Sequence, residues 1–239
     1  SIAYHTYAAP PKDPNIRVRD NVVIQLCHFE CHNHAFSDAS CPHNRRFNEY
    51  LLGWRRIARN VALYEYYYKA SWVHLPWPIV HSLRHDLPYF RKVGVFGVAT
   101  QYAYNFASNG LVYYVAAQLL WDADAAVDAI VDDFCRAAFG RAAGHMREYF
   151  RLLEDAAVRS GLHLAGQRPY AAIARLFTPE LLRRLRRCIE QALRVAEGDD
   201  RRRVEMMERG LRYAEMVSEY LRAVAEAAGL GRRQLPWPE

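Results

Sequence analysis

Four short β-rich runs are separated by stretches patterned for helices, and no fifth run follows Trp121. The runs are IAYHTY at 2–7, VVIQLC at 22–27, VALYEYY at 61–67 and VGVFGVAT at 93–100. Each reads as a buried strand. Between the second and third, RRFNEYLLGWRRIARN at 45–60 places Phe47, Tyr50, Leu51, Trp54 and Ile57 at helical spacing, with Asn44 placed to cap the start. Between the third and fourth, PIVHSLRHDLPYFRKVG at 78–94 reads as a helix that Pro88 breaks or kinks. Strands alternating with helices predict a parallel sheet. The first connection, 8–21, does not conform: its three prolines predict a short helix, an extended crossover or no helix at all.

Within each run the polar residues share a parity. His5 and Tyr7 fall together, as do Gln25 and Cys27; Glu65 falls with Val61 and Leu63, and Gln101 follows Gly97 and Ala99. Polar groups therefore gather at the C-terminal ends of the strands, where a (β/α) barrel builds its site.

After Trp121 the pattern is helical, giving a predicted division into a β/α part at 1–121 and an α-helical part at 122–239. Helices are expected over 122–140 and 141–161, each ending at glycine, then over 178–198 behind a Thr178 cap with Pro179 in the first turn, then over 199–229. Leu182, Leu185, Ile189 and Leu193 should face Met207, Leu211, Met216 and Leu221 in an antiparallel pair joined at Gly198, with LPWPE as a loose tail. The net charge of +6 is carried almost wholly by arginine, and runs such as RRLRR at 183–187 are interleaved with glutamates. They read as solvated helix faces, so no nucleic-acid partner is expected. Charged residues interrupt every apolar run, so no membrane partner is expected either. The opening SIAYHTYAAP lacks an initiator Met and the order of a signal peptide, and reads as a fragment or processed product; a signal for export would lie upstream.

The segments AYHTYAAPPK, NVVIQLCHFECHNHAFSDASCPHN, LLGWRRIA, LYEYYYK and LLWDADAAVDAIVDDFCRAAFG, taken in order, resemble a bacterial family, the domain of unknown function numbered 4838, which is grouped with TIM-barrel glycoside hydrolases. The resemblance implies an α/β chain: the last four strands, the C-terminal half of a (β/α)8 TIM-like barrel, followed by an all-α region. It also implies a carbohydrate ligand and a glycosidase-like reaction class, without a cofactor.

Glycoside hydrolysis needs two carboxyl groups, ~5 Å apart for retention or ~6.5–9.5 Å for inversion. Glu65, set in an apolar and aromatic strand near its end, is the leading catalytic candidate, and Glu30 the second. A further carboxylate is expected upstream of residue 1. A structural ion pair with an arginine is the competing reading of Glu65. His5, Tyr7, His28, His34, Tyr66, Tyr68, Trp77 and Gln101 are the candidate substrate contacts, the aromatics by stacking on sugar rings and the histidines by hydrogen bonding.

The segment CHFECHNHAFSDASCPH at 27–43 allows three readings. Cys27, Cys31, His34 and either Cys41 or His43 could bind a metal, although their spacing matches no zinc signature, and no metal is the preferred expectation. A Cys31–Cys41 disulfide would form in an exported protein. The preferred reading makes the segment a rim of the barrel mouth. Cys135 and Cys188 read as buried apolar residues. Function is thus expected to be a glycoside-hydrolase-like activity, a catalytically silent sugar-binding barrel, or a metal-dependent enzyme, in that order.

Overall fold

The computed structural model describes residues 1–164 and 170–227; the tail LPWPE lies outside them. Its strands β1 (Ile2–Ala3), β2 (Val23–Cys27), β3 (Asn60–Glu65) and β4 (Val98–Thr100) form one parallel sheet in the order of the chain. Helix α1 (Pro42–Ile57) links β2 to β3, and α2 (Val80–Lys92) links β3 to β4.

The inner strands were legible as apolar runs, but the outer two are shorter than expected. β1 ends at Ala3 because His5 adopts a left-handed backbone (φ 52°) that lifts 5–7 off the sheet as a 3-10 turn. β4 begins only at Val98, after Gly94 turns the chain at φ 74°. The first connection is an extended crossover held by Trp54 Nε1 donating to Ala8 O (2.8 Å) and Val18 N donating to Ile57 O (2.8 Å). Pro10 lies directly on Gly53 of α1, where a Cβ would come within 2.6 Å of the ring. Cys41, not Asn44, occupies the N-cap of α1; Asn44 is turned inward and fully buried. Pro88 sits inside α2 without ending it. The carbonyl it leaves unpaired belongs to the exposed Arg84, where water can serve.

Helix α3 (Phe106–Trp121) begins well before residue 122, where the all-helical region was expected to start. Asn105 caps it, accepting from Ser108 N. It is apolar nearly all round, so it carries no amphipathic stripe, the pattern of a helix buried between layers. It packs against α2 on one side and on the other against α4 (Val127–Phe139) and α8 (Gly198–Ala227). Helices α5 (Ala143–Ser160), α6 (Tyr170–Leu176) and α7 (Pro179–Val195) complete the described fold. One continuous core cluster runs from Ala3 through α3 to Leu221.

Gly140 and Gly161 end α4 and α5 with positive φ, as their positions predicted, and Thr178 Oγ1 caps α7 by accepting from Leu181 N (3.2 Å). On α8 the buried stripe is Val204, Met207, Leu211, Ala214, Ser218 and Leu221, while Met216 is 67% exposed, which corrects its expected place in the α7–α8 seam. Arginines of these runs pair with helix carboxylates: Arg186 of α7 reaches across to Glu208 and Glu215 of α8, while Arg201 and Arg202 pair within α8 with Glu205 and Asp199. No helix among the described residues is long and apolar enough to cross a membrane.

α3 and α8 meet at Gly210, where an added Cβ would stand 2.6 Å from the Ala107 Cβ. Gly→Ala in an open helix interior stabilises by about 1 kcal/mol. Here overpacking should win, and Gly210→Ala is expected to cost about 1–3 kcal/mol in denaturant unfolding; a gain in stability would show that the helices separate freely.

Candidate functional site

The two faces of the sheet are unequal. Ile24 and Leu26 of β2 lie beside Val61 and Leu63 of β3, and all four are buried in the core. Strand alternation continues this covered face to His28 and Glu65. His28 touches the ring of Phe47 on α1 (5.2 Å), which places the covered face under the helices. The other face carries Ile2, Tyr4, Gln25, Cys27, Ala62, Tyr64 and Tyr66; Ile2 is 66% and Tyr4 40% exposed.

Beneath the helices lies a closed polar cluster. His28 Nδ1 contacts Glu65 Oε2 at 3.1 Å, His28 Nε2 contacts Asn44 Oδ1 at 3.1 Å, and His32 Nε2 contacts Glu65 Oε2 at 3.2 Å. The protonation of His28 follows from its partners. Asn44 Nδ2 donates to His34 O (2.8 Å) and Ala35 O (3.1 Å), which fixes Oδ1 toward His28. Both imidazole nitrogens of His28 therefore face acceptors and both donate, so the ring is cationic. Burial acts to lower the His28 pKa, but the Glu65 carboxylate overrides it and the net shift is upward. Glu65 is 2% exposed; burial acts to raise its pKa, yet His28 and His32 hold it down to about 2. His32 also sets its ring nitrogens against two acceptors, Glu65 Oε2 and Glu30 O (3.2 Å), but burial first and then the His28 charge bring its pKa down to about 4. Glu65 thus has two histidines for partners and no arginine.

Asp86 of α2 also faces inward, accepting from Phe36 N at 2.6 Å. Burial pushes its carboxyl up to about 7, and the Glu65 charge adds to this. Reading α2 only as a cover for the sheet missed it. The signal was present, because Asp86 lies between Leu83, Leu87 and Phe90 on the apolar stripe.

At the open strand ends the arrangement differs. Glu30 is partly exposed and held by Arg46 Nη2 (2.5 Å) and His43 Nδ1 (2.5 Å). It shares an open cleft of about 280 Å³ with His5, Phe29 and Tyr50. Lys69 Nζ donates to Phe29 O (2.5 Å) and stands 5.8 Å from the centre of the Tyr66 ring. Burial lowers the Lys69 pKa to about 8. Lys69 escaped the reading of the sequence, although being one of only three lysines was a usable signal.

The expected site residues therefore divide into three groups. His5, Tyr7, Glu30, Tyr66, Tyr68 and Gln101 lie at the open strand ends, with Tyr7 80% exposed and Tyr68 OH bonded to His74 Nε2 (3.2 Å). Glu65, His28 and Trp77 are shut beneath the helices, Trp77 donating to Tyr66 O and packing on Trp72. His34 belongs with Cys31 and Cys41, which the structure brings together with His163, a residue the sequence gave no reason to include. Cys27 is not part of that group; it lies on the open face, its thiol pushed up to about 11 by burial. His43 bonds Glu30 instead. All five cysteines are free thiols, so the Cys31–Cys41 disulfide is not formed.

Comparison with known families matches residues 1–151 to one described as Domain of unknown function (DUF4838). The chain belongs to the DUF4838 family. No curated protein and no solved structure matches it. The DUF4838 match takes in all four strands and both polar clusters of the sheet ends, and stops within α5.

Proposed function

We propose that residues 1–121 of this DUF4838 chain form half of a (β/α) barrel that binds glycosides on the open face of its sheet and is built to cleave them. The observation that carries this reading is the uncovered face. A parallel sheet is ordinarily buried on both sides, yet here α1 and α2 cover one side only, and the other presents Tyr4, Gln25, Tyr64 and Tyr66. Four further strands closing on that face would turn it into a barrel interior with Glu30, Lys69 and the tyrosines at its mouth. Tyrosine rings suit the apolar faces of pyranoses, and Lys69 beside Tyr66 suits a sugar carboxylate or hydroxyl.

In this reading Glu30 is the carboxylate that meets substrate, and the second carboxyl comes from the closing strands. Glu65 acts indirectly, by holding His28 and His32 and so fixing the end of β2. A catalytically silent sugar-binding barrel is the second reading, favoured by the ion pairs that already occupy Glu30.

The complete protein should be assayed on aryl glycosides, including uronides and N-acetylhexosaminides, with sugar binding followed by calorimetry. Glu30→Gln is expected to lower hydrolysis by about 100-fold or more, and Tyr66→Ala to weaken binding by about 10-fold, or 1.4 kcal/mol. Hydrolysis unchanged in Glu30→Gln removes that residue from the chemistry. Binding without hydrolysis selects the silent barrel, and neither binding nor hydrolysis across the panel rejects the carbohydrate reading.

A further inference from the structure

We propose that Cys31, His34, Cys41 and His163 bind one zinc ion, which ties the loop between β2 and α1 to the turn that follows α5. Their donor atoms all lie within 4.8 Å of one another. A tetrahedral zinc with Zn–S of about 2.3 Å and Zn–N of about 2.0–2.1 Å sets its donors about 3.3–3.8 Å apart. Cys31 Sγ is already 3.2 Å from His34 Nδ1, and Cys41 Sγ 3.5 Å from His163 Nδ1. Closing the remaining gaps needs side-chain adjustment of about 1.5 Å or less.

The chemistry of the set agrees with its position. Two thiols and two neutral imidazoles are a common structural zinc shell. Zinc displaces the thiol protons of Cys31 and Cys41 to solvent, and the two thiolates then cancel its charge. That neutrality matters, because the two cysteines are 0% and 1% exposed, and an uncompensated charge there would be expensive. Four protein ligands leave no open coordination position, so the ion braces the fold and does not activate water. This departs from the sequence expectation of no metal, and from the metal-dependent enzyme that was its alternative.

The joint is built independently of the ion. Gly161 ends α5 with a left-handed φ of 58°, and His163 follows two residues later. Asn33 Nδ2 donates to Ala157 O (3.0 Å) and Leu162 O (2.8 Å), and His32 N donates to Leu164 O (3.3 Å). These bonds hold both ligand-bearing segments in place. The proposal stands whether or not the barrel takes glycosides.

The test uses the full chain, purified reduced and without chelator, with metal content measured by mass spectrometry and the site probed with cobalt. One zinc per chain is expected in the parent and in Cys188→Ser, whose cysteine lies on α7 away from the cluster. Cys41→Ser and His163→Ala should each lose stoichiometric zinc and the thiolate-to-cobalt charge-transfer band. The exposed His163 ring makes His163→Ala the variant best able to keep its fold, which far-ultraviolet circular dichroism verifies. Chelation should lower the melting temperature of the parent, and added zinc should restore it. Zinc content unchanged in both variants, a reduced and folded parent that takes up no stoichiometric zinc, or a parent lighter by two hydrogens through a Cys31–Cys41 bond would each overturn the proposal.

Discussion

Glu65→Ala is expected to destabilise the chain by about 3–5 kcal/mol, the usual effect of removing one partner from a buried ion pair. His28 would be left with a cationic ring enclosed by Phe36, Phe47 and Asn44, and His32 would lose the acceptor at Nε2 while keeping Glu30 O at Nδ1. The His28 ring can escape by losing a proton, but one of its nitrogens then remains buried without a partner. The effect should depend on the pair. In a double-mutant cycle, His28→Leu combined with Glu65→Leu should cost much less than the sum of the two single changes. Denaturant unfolding measures it, and a loss below about 1 kcal/mol for Glu65→Ala would mean the cluster relaxes or admits water. The variant also separates two roles for Glu65: a residue that only supports the fold lowers stability and activity together, whereas a residue that reacts with substrate lowers activity in Glu65→Gln with the fold intact.

Asp86→Asn is expected to stabilise the chain above neutral pH and to leave it nearly unchanged near pH 4. The Asp86 carboxyl is raised from 3.8 to about 7. Across that window the folded chain keeps the proton and the unfolded chain releases it, so the parent loses stability as pH rises through about 7. Asparagine keeps an oxygen to accept from Phe36 N and removes the titration. The difference should reach the order of a few kcal/mol above pH 7. His32 and Glu65 act in the opposite direction, since both have folded pKa values below their ordinary ones and both cost stability as pH falls. The comparison of variant with parent at each pH removes their contribution except for the part that couples Glu65 and His28 to the Asp86 charge. A difference that stays flat from pH 4 to 8 would show that Asp86 is ionised throughout.

How far the sequence discloses this molecule depends on the kind of order involved. β2 and β3 announce themselves because a central parallel strand must be apolar along its length. The same property conceals the direction of Glu65: its parity with Val61 and Leu63 was readable, but apolar residues on both faces give no sign of which face the helices cover. α3 was invisible for a related reason, since a helix that is apolar on nearly every side, even at its exposed Leu120 and Trp121, has no polar stripe to set its period. α7 was legible down to its cap, because Thr178, Pro179 and Glu180 are local signals. His163 was not legible, because its partners lie more than 100 residues away and nothing local marks a ligand. The position of Asn44 points to a cap, a common local role of its residue type, and tertiary packing gives it His28 instead.

The junction between α5 and the loop after β2 also bears on how this chain can be divided. The family match stops at residue 151, part-way along α5. A gene product ending there would lose Leu152, Leu153 and Ala157 from the core, and with them both backbone acceptors of Asn33. The matched segment is therefore shorter than the set of contacts that holds it. A segment boundary placed by the family match would cut through packed helix, so a truncation meant to keep the sheet intact must retain the second half of α5 and the turn beyond it.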